Sequence, residues 1–134
     1  MNRAALSAHV QDNPAAIKRL EAIVHPLVRE EEEAFLRRAL AQGAKLAILD
    51  IPLLFETGAE SRVDKILVVT ADVNVQRARV LARPGMSEDK LRAILARQMP
   101  DAEKRRRADY VINTGLGLDF ARAEVRKIIA RLTS

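Results

Sequence analysis

Asp50, Thr70 and Asn113 each stand at the end of a short apolar run, at 46–51, 66–70 and 110–112. The first two runs do not alternate apolar with polar residues, so they read as strands buried on both faces, as in a parallel sheet. Ligands of such sheets bind outside the carboxyl ends of the strands. A carboxylate, a hydroxyl and an amide are therefore expected to gather on one edge, although any α/β protein offers something similar. Charge supplies the second chemical signal. Seventeen of the 23 cations are Arg, and the chain carries a net charge of +5 with a pI near 10.1. The guanidinium fork matches phosphate oxygens in pairs. The composition therefore fits an anionic ligand, either a nucleotide or nucleic acid. An Arg-rich helical surface fits it equally.

Several classes are excluded. Without cysteine there is no disulfide framework, thiolate metal site or cysteine nucleophile. Two histidines, His9 and His25, do not make a histidine-rich metal site. The aromatics are only Phe35, Phe55, Tyr110 and Phe120, too few for a base-stacking platform. No apolar run approaches the roughly 18 residues of a membrane span. The first ten residues lack the basic-then-apolar pattern of a signal peptide. A soluble cytoplasmic protein is the expectation, and 134 residues make one domain's length.

The elements that must position these groups follow from local signals. Asn2 caps a short helix over 3–11. Asn13 caps a second, with Pro14 in its first turn, where a missing N–H costs nothing. Ile17, Leu20, Val24, Leu27 and Val28 form its apolar stripe. Pro26 predicts a break or kink at His25, and Gly43 a stop after about Gln42. Residues 30–33 are a solvated acidic run. The region 52–63 is a loop or short helix. Helices follow after Thr70, with Val73, Val80 and Leu81 inward; after Ser87, with Leu91, Ile94 and Leu95 inward; and after Pro100-Asp101. Pro84-Gly85 separates the first two. Residues 114–117 are a turn, and Asp119 starts a last helix with Val125, Ile128, Ile129 and Leu132 inward. Strands separated by helices define an α/β domain with a parallel sheet.

Four segments then stand in order: LEAIVHPLV (20–28), DIPLLFE (50–56), RPGMSEDKLRAILARQ (83–98) and ADYVINTG (108–115). Together they resemble the dephospho-coenzyme A kinase family, over nearly the whole chain. The resemblance implies a P-loop kinase fold and ATP-dependent phosphorylation of the ribose 3′-hydroxyl of dephospho-CoA, the last step of coenzyme A synthesis. Its cofactors would be ATP and Mg²⁺. It implies a helical CoA-binding segment at 2–43 and a kinase core at 44–134, with a lid at 83–98. Asp50 would be a catalytic carboxylate acting on magnesium through water. Arg83 and Arg97 would reach the ATP phosphates, Arg97 as a catalytic residue. Asn113, Thr114 and Gly115 would lie beside the adenine, and His25, Pro52 and Glu56 would contact the CoA substrate. Structural alternatives stay open: Asp50 as a turn cap, the two arginines as surface ion pairs, Asn113 as a plain turn, His25 as an ordinary residue before proline.

One departure matters. The family opens with a strand and a GxxxxGK[ST] loop that cradles phosphates. None of the glycines at 43, 58, 85, 115 and 117 precedes a Lys-Ser/Thr pair, and the acidic residue expected just after that loop, the catalytic base, is also absent. The pattern thus starts on an interior helix, and these 134 residues alone are expected to be inactive. The missing strand would lie between 46–51 and 66–70, leaving strand edges through which the chain self-associates. The alternatives are a non-catalytic CoA- or nucleotide-binding remnant and a basic nucleic-acid-binding module built on Lys104–Arg107. That run also reads as a solvated face.

Overall fold

The computed structural model describes Leu6, His9, Val10 and residues 13–134. It divides into two compact units, Met1–Leu49 and Asp50–Ser134. The expected helix at 3–11 and its cap Asn2 lie largely outside the described residues.

The first unit is dominated by helix α1, Pro14–Ala41. Asn13 caps it, its side chain accepting a hydrogen bond from the Ala16 N–H at 3.0 Å. At the other end Gly43 adopts φ +69°; its N–H donates to Leu40 O and the Ala44 N–H to Ala39 O, both at 3.0 Å. This is the paired C-terminal closure that a left-handed glycine permits. The expected break at Pro26 does not occur, since α1 runs through it. Proline deprives one carbonyl, that of Ala22, of its donor. Ala22 is exposed, so water can replace that donor, and the turns on either side keep their bonds.

In the second unit, strands β1 (Leu67–Thr70) and β2 (Tyr110–Asn113) pair in parallel. The residues between them form α2 (Val73–Leu81), α3 (Glu88–Ala96) and α4 (Asp101–Arg107), and α5 (Leu118–Thr133) follows β2. Helix α5 packs on β2, α4 against β1, and α2 against α3. The predicted cap Ser87 holds, its Oγ accepting from the Lys90 N–H. Asp72, which the sequence reading did not single out, caps α2 by accepting from the Asn74 N–H, and α5 begins at Leu118 after Gly117, with no side-chain cap.

Two expectations are corrected. Residues 46–51 form no strand; among the described residues the sheet has only β1 and β2. An apolar run becomes a strand through a neighbour's ladder, and this one has none. The helix stripes are also less buried than their periodicity suggests. Leu91 is buried, but Val73, Ile94, Leu95, Val125 and Ile129 are exposed. For α5 the cause is a mismatch of lengths. Four residues of strand extend about 13 Å, whereas the sixteen of α5 extend about 24 Å. Helix α5 overruns so small a sheet, and α2 and α3 pack mainly on each other. The core is Phe55, Ala59, Leu91 and Ile112, with Ile112 the deepest at 2% exposure.

Register is set at the amino end of the strands by Asp109. Its carboxylate accepts from Lys65 Nζ and from the Ile66 N–H, both at 2.9 Å. Ile66 O in turn accepts from the N–H groups of Asp109 and Tyr110. The Lys65 hydrogen bond, then that from Ile66, holds the Asp109 carboxyl below its ordinary range. Asp109 raises the Lys65 ammonium in return. A depressed carboxyl stabilises the fold above its unfolded pKa and loses that contribution as pH falls through the folded one. The raised lysine stabilises below its unfolded pKa and loses that as pH rises through its folded value. The clamp therefore works fully between about pH 4 and pH 10. Asp109→Asn should lower the melting temperature at pH 7, and the gap from the parent chain should close as the pH is taken below 3. Melting curves followed by circular dichroism at several pH values check this.

Candidate site at the carboxyl edge of the sheet

The register pairs Thr70 with Asn113 at the carboxyl ends of the two strands. This brings together two of the three polar residues expected there; Asp50 lies on no strand and is exposed. The Thr114 hydroxyl donates to Thr70 O at 3.0 Å. It also accepts from Arg79 Nη1 at 3.2 Å, while Arg79 Nη2 donates to Thr114 O at 3.1 Å. Arg79 thus ties α2 to the loop after β2. The Thr70 hydroxyl donates to Asp101 Oδ1 at 2.8 Å, which fixes the start of α4 to the end of β1. Asn113 Oδ1 accepts from the Gly115 N–H at 2.8 Å, closing the turn 114–116. A Cβ at Gly115 would come within 3.0 Å of that oxygen, so glycine lets the amide approach.

Arg83 and Arg97, expected to reach phosphates, flank α3 in sequence. Arg83 lies before it and Arg97 caps its carboxyl end, its N–H bonded to Ile94 O. Both are exposed. At its start α3 is tied to α2 by the Arg77–Glu88 ion pair.

Glu56 turns inward. Its Oε1 accepts from the Met99 N–H at 2.7 Å and sits 3.1 Å from Lys104 Nζ. The two side chains are 14% and 18% exposed. Burial pushes the Glu56 carboxyl up, but the Met99 hydrogen bond and the hydrogen bond and charge of Lys104 outweigh it and leave the group below its ordinary value. Pro52 is exposed, and so is His25, on α1 in the first unit. Every cation of the basic run on α4 is paired, four with three acids: Lys104 with Glu56, Arg105 with Asp101, and Arg106 and Arg107 sharing Glu103. Arg107 also lies over the Phe55 ring, 5.8 Å from its centre.

Sequence reasoning missed Asp101 and Arg79. Asp101 read only as a helix opener and Arg79 as one arginine among many. Their partners lie 31 and 35 residues away, and no local signal marks such pairs.

No group of three or more His, Asp or Glu side chains that could hold a metal occurs among the described residues. Magnesium does not require one, since it takes one or two carboxylates and completes its shell with water and phosphate oxygens. A lone exposed Asp50 is compatible with that chemistry.

The second unit is thus a parallel α/β unit with a polar carboxyl edge. The chain belongs to the dephospho-CoA kinase family, whose model matches residues 1–119. It is 62% identical over 132 residues to the dephospho-CoA kinase of Mesorhizobium japonicum, covering 98% of this chain and 67% of that protein. With the Agrobacterium fabrum dephospho-CoA kinase it shares 55% over 132 residues, 98% of this chain and 68% of the other. A Thermus thermophilus crystal structure superposes with a TM-score of 0.75 at 36% identity, and the Campylobacter jejuni dephospho-CoA kinase with 0.61 at 25%. Each superposition takes in 99% of this chain, with 68% and 65% of the two structures. The chain spans about two thirds of the length of the curated relatives it matches.

Thr114→Ala should cost about 0.5–1.5 kcal/mol, the net worth of a hydrogen bond, because it leaves Thr70 O without its donor and Arg79 Nη1 without its acceptor, while Arg79 Nη2 keeps the Thr114 carbonyl. Thr114→Ser should restore most of it. Urea unfolding of the two variants checks this.

Proposed function

We propose that this chain forms the dephospho-CoA and lid portion of a kinase that transfers the γ-phosphoryl of ATP to the ribose 3′-hydroxyl of dephospho-CoA. The observation that carries the reading is 62% identity to a dephospho-CoA kinase over nearly all of the chain. Phosphoryl transfer is mainly positioning and neutralisation of charge, and the residues divide accordingly. Arg97, at the carboxyl end of α3, and Arg83, just after α2, supply cations to the ATP phosphates. Asn113, Thr114 and Gly115, braced by Arg79 and Thr70, form the loop against which adenine rests. His25 and Pro52 contact dephospho-CoA. Asp50 orients magnesium-bound water. Bound magnesium supplies positive charge that neutralises the transferring phosphate.

The phosphate-cradling GxxxxGK[ST] loop is not among these 134 residues. Turnover therefore requires that segment, and the 134 residues alone bind dephospho-CoA without turning it over. The pairing of every cation in 104–107 with an acid favours this reading over nucleic-acid binding. The open side of β1, with Leu67 and Val69 exposed, favours self-association of the isolated chain.

The test is ADP release with dephospho-CoA as acceptor. The 134-residue chain alone should show none and elute as an oligomer on gel filtration. Fused to the amino-terminal segment of the Mesorhizobium japonicum relative, it should turn over and elute as a smaller species. A fusion that folds but shows no dephospho-CoA dependence overturns the proposal. In the active fusion, Arg97→Ala should lower kcat and kcat/KM together, by about 10²-fold or more, and leave dephospho-CoA affinity nearly unchanged. A normal kcat would remove Arg97 from the site.

A further inference from the structure

Glu56 combines features that contact with substrate does not explain. Its carboxylate is largely withdrawn from solvent, and one oxygen, Oε1, receives both the Met99 N–H and Lys104 Nζ. The other, Oε2, is buried with no partner among the described residues. Both groups that Oε1 holds lie on the far side of α3: Met99 just after the helix, Lys104 on α4. Between them stands Pro100, with φ −54° and ψ 141°, as the residue that opens α4. Proline has a locked φ and restricts the residue before it to extended backbone. Pinning Met99 beside it makes a stiff joint, and Arg97 lies two residues upstream. The neighbouring packing reinforces this joint: Phe55, next to Glu56, is buried and carries Arg107 of α4 over its ring. The other end of α3 is held differently. There the Arg77–Glu88 pair is about half exposed, and Gly85, at φ +74°, follows Pro84.

We infer that Glu56 is a positioning residue: by anchoring the Met99 N–H and Lys104, it fixes the carboxyl end of the lid helix and so sets where Arg97 is presented. The role assigned to Arg97 rests on the kinase reading above; the anchoring itself does not. A hydrogen bond to a charged group is worth more than one to a neutral group, by a difference of about tenfold in equilibrium constant.

Two measurements test this. In the 134-residue chain, amide hydrogen exchange by NMR should show Met99 speeding up about tenfold in Glu56→Gln and more in Glu56→Ala, with Ile112 of β2 unchanged. Exchange at Met99 that does not change, or an equal acceleration at Ile112, would overturn the anchor, the second outcome marking Glu56 as a general stabiliser. If Glu56→Ala does not fold, Glu56→Gln alone decides by the same comparison. In the active fusion, Glu56→Gln should lower kcat and kcat/KM together, in the direction of Arg97→Ala but by less, and leave the KM for dephospho-CoA unchanged. A rise in the dephospho-CoA KM alone would overturn the inference and return Glu56 to the substrate site. A fusion without kinase activity would refute the proposed function but leave the exchange result to judge the anchor.

Discussion

Parallel pairing of two four-residue strands is the constraint on which the second unit depends. Parallel neighbours cannot be joined by a tight turn, so the chain between them must cross over through other structure. Here that crossover holds α2, α3 and α4, which is the whole region assigned to the lid and its supports. The register of the pair then decides what meets at the carboxyl edge. A slip of one residue would move Thr70 off Asn113 and turn Ile112 away from the core face. Two sets of polar contacts guard against this, the Asp109 clamp at the amino end and the Thr70–Thr114 bond at the other.

The carboxyl edge is a brace before it is a binding site. Thr70 reaches Asp101 with its hydroxyl and Thr114 with its carbonyl, and Thr114 is held again by Arg79. Strand, loop, α2 and α4 are thus fastened at one place. Bonds of this kind lock rotamers, which is what a site needs when its chemistry is mostly positioning. The same economy appears on α4, whose four consecutive cations are all engaged by acids of this unit. These four cations are held in ion pairs within the unit and are not free to reach a ligand without breaking them.

Local signals in the sequence were read correctly where the physics is local. Asn13, Ser87, Pro14 and Gly43 mark helix ends because capping involves residues within one turn of each other. The parallel α/β class was legible from strands separated by helices, with the runs at 66–70 and 110–112 forming the pair, and Thr70 and Asn113 from their place at strand ends. Pro26 shows where a local rule gives way. Its penalty is one hydrogen bond, and a 28-residue helix tolerates that loss at an exposed turn.

What the sequence determined by itself was therefore the order of elements, their caps and the four family segments, all carried by neighbours along the chain. Only the tertiary structure decided whether 46–51 would be a strand, because pairing needs a partner that composition does not reveal. It alone showed that the stripes of α2, α3 and α5 stay partly exposed, α5 because it overruns the sheet and α2 and α3 because they pack mainly on each other. It alone joined Asp101 to Thr70, Arg79 to Thr114 and Glu56 to Met99. Each of these contacts spans 31 to 43 residues, a separation at which hydrogen-bond geometry is set by the packing of whole elements and leaves no periodicity to read.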